Sequence, residues 1–150
     1  MQRIIFLDFD GVIVPFIGGE PQDKEKAVAS AGAVANLNRA IEMSGAEIVV
    51  SSHWKRFYPL VELRNILNGW GVKGRVVGIT PNDHADDRGV EIFEWLTTAN
   101  DDKVSFAIVD DIVDDLQRFR DHVVKTNPDN GITLVDVEKI VEVLFDIYGN

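Results

Sequence analysis

The stretch Ile4-Ile5-Phe6-Leu7-Asp8-Phe9-Asp10-Gly11-Val12 decides the fold. Its four leading apolar residues predict a strand that is buried on both faces, as at the centre of a parallel sheet. Because residues i and i+2 of a strand point to the same side, we expect Asp8 and Asp10 together at its carboxyl end. Open α/β sheets bind ligands at that end. Two carboxylates held so close repel each other unless a proton or a metal ion intervenes. A magnesium ion with a phosphate group would relieve this repulsion, because hard cations take oxygen ligands. The alternative interpretation is a strand that ends in a solvated acidic turn.

Composition limits the class of protein. The chain has 150 residues, of which 45% are hydrophobic, and this size and content predict a single domain over residues 1–150. The lack of cysteine excludes a disulfide framework and a cysteine-based zinc site. The chain begins directly with a strand and has no apolar run near the roughly 20 residues of a membrane span, so we expect a cytoplasmic protein without membrane contact. The net charge of −10 argues against a broad basic surface for nucleic acid.

Predicted strands and helices alternate along the whole chain. After the first strand we expect strands over Glu47–Val50, Arg75–Ile79, Ser105–Val109 and His122–Thr126. Helices are expected from Ser30 to Met43, from Pro59 to about Gly69, from Arg88 with Ile92, Phe93 and Leu96 inward, and from Thr133 to about Tyr148. This alternation predicts a three-layer, Rossmann-like α/β fold with a mostly parallel sheet. The Pro- and Gly-containing excursion before Ser30 leaves no room for an inserted domain.

Two later strands also end on polar residues. The strand Glu47–Val50 runs directly into Ser51 and Ser52, and the strand Ser105–Val109 closes on Asp110 and Asp111. A serine that caps the following helix and an acidic turn are the alternative interpretations. The strongest signal in the sequence is that two apolar strands, Ile4–Leu7 and Ser105–Val109, both end in paired acids, in this order.

The first of these stretches resembles the first motif, hhhDxDG, of the haloacid dehalogenase-like (HAD) phosphohydrolases. The resemblance implies that Asp8 is the nucleophile that becomes an aspartyl-phosphate and that Asp10 is the general acid and base. In the second motif a hydroxyl holds a phosphate oxygen, which Ser51 matches, with Ser52 as the alternative in register. The resemblance also implies an HAD core without a cap domain.

The third and fourth HAD motifs supply a cation and the metal ligands. The third motif is a lysine, but the nearest cation here is Arg88, which can neutralise the same charge or pair with Asp86 or Asp87 at the surface. The resemblance implies Mg²⁺ as the cofactor, and its expected ligands include residues of both acidic strand ends. They are Asp8, Asp110, Asp111 and the main chain of Asp10, with Asp114 and Asp115 acting through water.

The segment His53-Trp54-Lys55-Arg56-Phe57-Tyr58 follows the second motif and places two cations among aromatic side chains. Such a composition can grip a phosphate backbone and stack a base, whereas an aromatic helix lead-in with solvated Lys and Arg is the alternative. The candidate substrate-binding residues are therefore Gly11, Ser52, Trp54 and Lys55. His53 has no second histidine at ligand spacing and is not expected to bind metal.

Within the superfamily, the sequence resembles a small HAD group linked to RNA repair proteins and, more distantly, the phosphatase half of polynucleotide kinase-phosphatases. Features that carry this resemblance are Ser51-Ser52-His53-Trp54, Arg88-Gly89, Asp110-Asp111 and Asn127-Pro128 with Gly131. Three functions stay open. The first is a magnesium-dependent phosphomonoesterase for a large substrate such as a nucleic-acid 3′-phosphate. The second is a phosphatase of a small metabolite or nucleotide, and the third is a silent module that binds magnesium and phosphate.

Overall fold

The computed structural model describes residues 1–99 and 103–146. Five strands and four α-helices alternate along them, with two 3₁₀ segments at His53–Arg56 and Gln117–His122. The strands are β1 (Gln2–Leu7), β2 (Glu47–Val50), β3 (Val76–Ile79), β4 (Val104–Asp110) and β5 (Val123–Lys125). The helices are α1 (Ala31–Ser44), α2 (Leu60–Gly69), α3 (Arg88–Thr98) and α4 (Leu134–Leu144).

The strands form one parallel sheet with the order β3-β2-β1-β4-β5, so β1 lies at its centre. One face of the sheet packs against α1, α2 and α4, and the other packs against α3 and the segment that contains Leu116 and Phe119. The predicted three-layer α/β fold is confirmed. In the described part of the chain, the connection from β1 to α1 contains only turns and short bridges, which agrees with the predicted lack of a cap domain.

Strand β1 contributes to both hydrophobic clusters because its side chains alternate between the two faces of the sheet. Ile5 and Leu7 pack in the cluster under α1, whereas Ile4 and Phe6 pack in the cluster under α3. All four side chains are fully buried. This burial on both sides explains the unbroken apolar run that precedes Asp8.

The helix ends are set by local hydrogen bonds. The Ser30 hydroxyl accepts a hydrogen bond from the Ala33 N–H at 3.1 Å, which starts α1, and Gly45 ends that helix with a φ of 72°. The Thr133 hydroxyl and the Asp136 carboxylate form a reciprocal capping box at the start of α4. That helix ends at Leu144, and Tyr148, its predicted end, lies outside the described residues.

One predicted core residue of α3 is wrong. Phe93 is 47% exposed, whereas Trp95 packs edge-on against Phe6 with ring centroids 5.5 Å apart. Each residue advances a helix by about 100°, so the side chains at i+3 and i+4 from the buried Ile92 share its face, and the side chain at i+1 turns away. Phe93 instead packs under the Arg118 guanidinium, 5.6 Å from its ring centroid.

Candidate active site

Four strand ends place Asp110, Asp8, Ser51 and Thr80 side by side at the carboxyl edge of the sheet. Asp110 is the last residue of β4, and Asp8, Ser51 and Thr80 directly follow the last residues of β1, β2 and β3. The residues that precede these four are paired in register across the sheet. Backbone hydrogen bonds continue the ladder past the strands: the Ser51 N–H donates to the Leu7 carbonyl at 3.1 Å, and the Thr80 N–H donates to the Val50 carbonyl at 3.0 Å. We call these four residues the strand-end row.

The strand-end row faces α3. Residues two positions earlier on three of the strands belong to the cluster under that helix, and side chains two apart in a strand share a face. These earlier residues are Ile108, Phe6 and Val49. Gly78, two positions before Thr80, also faces α3, because a Cβ added there would lie 3.4 Å from the indole nitrogen of Trp95. The sheet therefore aims two carboxylates and two hydroxyls toward the start of α3.

Two carboxylates of the row converge with a third, that of Asp111. Oxygen atoms of Asp8, Asp110 and Asp111 all lie within 4.8 Å of one another. Burial raises the pKa of Asp8 well above its usual value, and the charges of Asp110 and Asp111 raise it further. Burial also raises the pKa of Asp111, as does the charge of Asp110. Such mutual repulsion between oxygen ligands is what a bound hard cation relieves, so this donor set fits Mg²⁺.

Gly11 permits the approach of Asp111 to this cluster. Gly11 has a φ of 79°, a conformation that favours glycine. A Cβ at this position would lie 2.5 Å from both Cγ and Oδ2 of Asp111. The glycine of the first stretch therefore shapes the carboxylate cluster through its lack of a side chain.

Asp10 lies beside the cluster and has a different environment. Its Oδ1 accepts a hydrogen bond from the indole N–H of Trp54 at 3.2 Å. Burial raises the pKa of Asp10, while this hydrogen bond and the charges of Lys24 and His53 oppose the rise. A carboxyl group with a raised pKa can hold and deliver a proton. The Asp10 carboxylate is not one of the three that converge within 4.8 Å.

The hydroxyl groups of Ser51 and Thr80 are buried and have no hydrogen-bond partner among the described residues. An unpaired buried hydroxyl lowers stability, so each group is available to a ligand oxygen. Ser52 differs, because its hydroxyl caps the 3₁₀ segment by accepting the Trp54 N–H at 3.2 Å. The serine-cap interpretation thus describes Ser52, and Ser51 carries the unpaired hydroxyl.

Arg88, the first residue of α3, is held against the cluster. Its Nε and Nη2 donate to the two oxygens of Asp115 at 3.1 and 2.7 Å, and its Nη1 contacts the Asp110 carboxylate. The partners are thus Asp115 and Asp110, in place of Asp86 and Asp87, because α3 packs against the loop that follows β4. Arg88 is the cation whose charge opposes the rise in the pKa of Asp8.

The geometry agrees with the comparison of the sequence with known families. The family described as "HAD domain in Swiss Army Knife RNA repair proteins" has a model that matches residues 4–137. The chain belongs to this HAD family. A comparison with curated proteins gave no match. Among the described residues, no helix is both long and apolar enough to cross a membrane.

Within this HAD domain, the structure does not bring Trp54 to the surface as a substrate-binding side chain. Its ring is 1% exposed and packs against Phe9 and Trp70, with ring centroids 5.3 and 5.5 Å away. A base therefore has no free face of Trp54 on which to stack. The role of this residue in the structure is to donate its indole N–H to Asp10.

The structure also turns Lys55 away from solvent. Its Nζ donates to the Pro81 carbonyl at 2.8 Å, to the Asn82 side chain at 2.9 Å and to the Glu91 carboxylate at 2.9 Å. These three bonds use all three protons of the ammonium group. Glu91 is buried as well and receives a second cation, Arg56. Lys55 thus ties the 3₁₀ segment after β2 to the loop after β3 and to α3.

Two features of the HAD site were not predicted from the sequence. Thr80 joins the strand-end row, and the signal for it was the same as for Ser51: a hydroxyl residue directly after an apolar strand. The exposed aromatic rings of the segment after the second motif are those of His53 and Phe57. The sequence pattern of that segment carries no signal that separates its buried from its exposed rings.

Proposed function

We propose that this HAD domain is a magnesium-dependent phosphomonoester hydrolase that forms an aspartyl-phosphate at Asp8. Its proposed substrate is a nucleic-acid end that carries a 3′-phosphate. The observation that carries the proposal is the strand-end row, in which the buried Asp8 carboxylate lies between the Asp110 carboxylate and the unpaired Ser51 hydroxyl.

Asp8, Asp110 and Asp111 would hold Mg²⁺, with the Asp10 main chain as a further ligand. When bound, the ion supplies positive charge that lets an anionic nucleophile approach an anionic phosphate. The convergence of the three carboxylates supports this assignment. Arg88 contributes a fixed positive charge on the α3 side, where it contacts Asp110.

In the first chemical step, an Asp8 oxygen forms a bond to phosphorus, and the bond from phosphorus to the ester oxygen breaks. The electron pair of that bond stays on the leaving oxygen, which takes the proton of Asp10. In the second step, Asp10 removes a proton from water as the water oxygen attacks phosphorus. Inorganic phosphate leaves, and the Asp8 carboxylate and the Asp10 carboxyl group are restored.

Ser51 is proposed to donate its hydroxyl proton to a non-bridging phosphate oxygen. Charge spreads over these oxygens in the transition state, so a donor fixed beside the nucleophile stabilises it. The missing partner of this buried hydroxyl supports the role. Arg88 is proposed to act at the same phosphoryl group through its charge, and its contacts with Asp110 and Asp115 hold it in position.

The proposed substrate is large because the connection between β1 and α1 adds no domain over the site in the described residues. The family description names RNA repair proteins, which favours a nucleic-acid end over a small metabolite. Both Asp8 and Asp10 are present, which favours catalysis over a silent module that binds magnesium and phosphate.

The test is phosphate release by the wild type, Asp8→Asn and Asp10→Asn, with and without Mg²⁺. The substrates are oligonucleotides with a 3′- or a 5′-phosphate and a generic aryl phosphate. We expect release that needs Mg²⁺ and Asp8 and is fastest with the 3′-phosphate. Asp10→Asn should retain slow release from the aryl phosphate, whose leaving group needs no proton.

A matched control for these variants is Glu42→Gln, which changes an exposed carboxyl group on the last turn of α1. It should leave all rates at the wild-type level. Equal rates with Asp8→Asn and the wild type would refute the role of Asp8 as the nucleophile. A preference for aryl phosphate alone would refute the nucleic-acid substrate, and silence on every substrate with Mg²⁺ binding intact would favour the interaction module.

A further inference from the structure

Two exposed rings and a half-buried cation form a cluster beside the proposed site. The His53 and Phe57 rings meet edge to face with centroids 5.3 Å apart, and Phe57 is 61% exposed. The ammonium nitrogen of Lys24 lies 5.0 Å from the centroid of the Phe57 ring. We call Lys24, His53 and Phe57 the rim.

The rim borders the proposed general acid. His53 is the first residue of the 3₁₀ segment, and Phe57 is the residue that caps its end. Trp54, between them in the chain, points inward and donates its indole N–H to Asp10. Lys24 and His53 are both close enough for their charges to act on Asp10. The rim therefore lies on the Asp10 side of the site.

The side of the site next to the general acid is the side of the leaving group. Asp10 protonates the ester oxygen, so the alcohol that carries this oxygen must lie next to Asp10. In a nucleic-acid 3′-phosphate, that alcohol is the sugar of the terminal nucleotide. The base and the preceding backbone phosphate of the same strand then lie just beyond it.

The chemistry of the rim suits these groups. An exposed aromatic ring stacks on any base, and a neighbouring cation pairs with a backbone phosphate. Burial and the nearby charges of Lys24, Arg56 and Lys55 lower the pKa of His53, which favours the neutral form of its ring. The Arg56 Nε donates to His53 Nδ1 at 3.2 Å, which fixes the orientation of that ring.

We propose that the rim binds the terminal nucleotide of a single-stranded nucleic acid, with its base on Phe57 and His53 and the preceding phosphate on Lys24. The proposal rests on the proposed function, because it assigns the leaving group of that reaction. It makes the rim, in place of the buried Trp54 and Lys55, the surface that distinguishes nucleic-acid ends from small phosphoesters.

The first test measures binding without turnover. Asp8→Asn protein in Mg²⁺ is titrated into a labelled single-stranded oligonucleotide with a 3′-phosphate, and fluorescence anisotropy gives the affinity. Adding Phe57→Ala should weaken binding about tenfold, and Phe57→Trp should restore it. Adding Lys24→Gln should reduce the slope of log affinity against log salt concentration by about 0.7, the value for one phosphate contact on a single strand.

A matched control is available at the opposite edge of the sheet. Phe145 is 41% exposed and stacks under the Arg3 guanidinium at 4.1 Å, near the amino end of β1. Phe145→Ala removes the same kind of exposed ring and should leave the affinity unchanged. Equal affinities for Phe57→Ala and Phe145→Ala would refute nucleotide binding by the rim.

The second test uses turnover and separates the rim from the reaction. With Asp8 intact, Phe57→Ala should lower kcat/KM about tenfold for the oligonucleotide and leave it unchanged for glycerol 2-phosphate. Equal losses on both substrates would show a structural effect and overturn the proposal. If hydrolysis depends on Asp8 but oligonucleotide affinity does not depend on Phe57, nucleotide binding by the rim is refuted and the proposed phosphatase function is supported. If hydrolysis is absent but oligonucleotide affinity depends on Phe57, the proposed phosphatase function is refuted and nucleotide binding by the rim is supported.

Discussion

Replacing Lys55 by methionine should destabilise the fold and leave substrate binding unchanged. Methionine keeps most of the length of the side chain but removes the ammonium group. The change deletes three hydrogen bonds of 2.8–2.9 Å and leaves the Glu91 carboxylate with one cation fewer. Breaking a buried ion pair by removing one partner costs about 3–5 kcal/mol, because the remaining charge stays buried.

The lower end of that range applies here. Glu91 retains Arg56, whose Nη2 lies 3.1 Å from each carboxylate oxygen, and its Oε2 retains the His84 N–H at 3.1 Å. We therefore expect a loss of about 3 kcal/mol in the free energy of unfolding. For a domain of this size, such a loss lowers Tm by about 6–12 °C.

Urea unfolding of the wild type and Lys55→Met gives the stability difference, and steady-state kinetics on the same samples give KM. Lys139→Met, on the exposed face of α4, is the matched control and should change neither quantity. The double variant Lys55→Met, Glu91→Leu should recover at least half of the loss, since it removes the stranded carboxylate. Wild-type stability with a raised KM in Lys55→Met would refute this account and return Lys55 to the substrate.

Three further changes probe the site. Ser51→Ala should lower kcat about 100-fold without lowering Tm in thermal unfolding, because it removes an unpaired buried hydroxyl; a fall in Tm with unchanged kcat would contradict this. Trp54→Phe removes the N–H that holds Asp10 and should slow alkyl phosphates about tenfold more than aryl phosphates in rate assays. Equal slowing would mean that Trp54 does not act through Asp10. Gly11→Ala should displace Asp111 and weaken Mg²⁺ binding in calorimetry, so an unchanged affinity would speak against the carboxylate cluster.

The sheet and the main catalytic candidates could be predicted because their signals are local. A run of apolar residues that ends in Asp8 or Asp110 specifies both a buried strand and the position of its carboxylate. The carboxyl ends of parallel strands then bring such residues to one edge regardless of their separation in the chain. Thr80 has the same local signal, but its alignment with Ser51 depends on a register irregularity between β2 and β3.

The partners of the charged and aromatic side chains could not be predicted, because tertiary packing chooses them. Arg88 lies next to Asp86 and Asp87 in sequence, yet it pairs with Asp115, 27 residues later. A composition of mixed aromatics and cations indicates a contact surface but does not say which side of a 3₁₀ turn faces the core. The packing of that turn buries Trp54 and exposes Phe57.

Detection of the covalent intermediate tests the central claim most directly. Wild-type protein turning over the 3′-phosphorylated oligonucleotide in Mg²⁺ is quenched with acid, digested and analysed by mass spectrometry. The account predicts a phosphoryl group on the peptide that contains Asp8, at the Asp8 side chain, and its absence without Mg²⁺ or in Asp8→Asn. Phosphate release by Asp8→Asn at the wild-type rate, or a phosphoryl group on another residue, would contradict it.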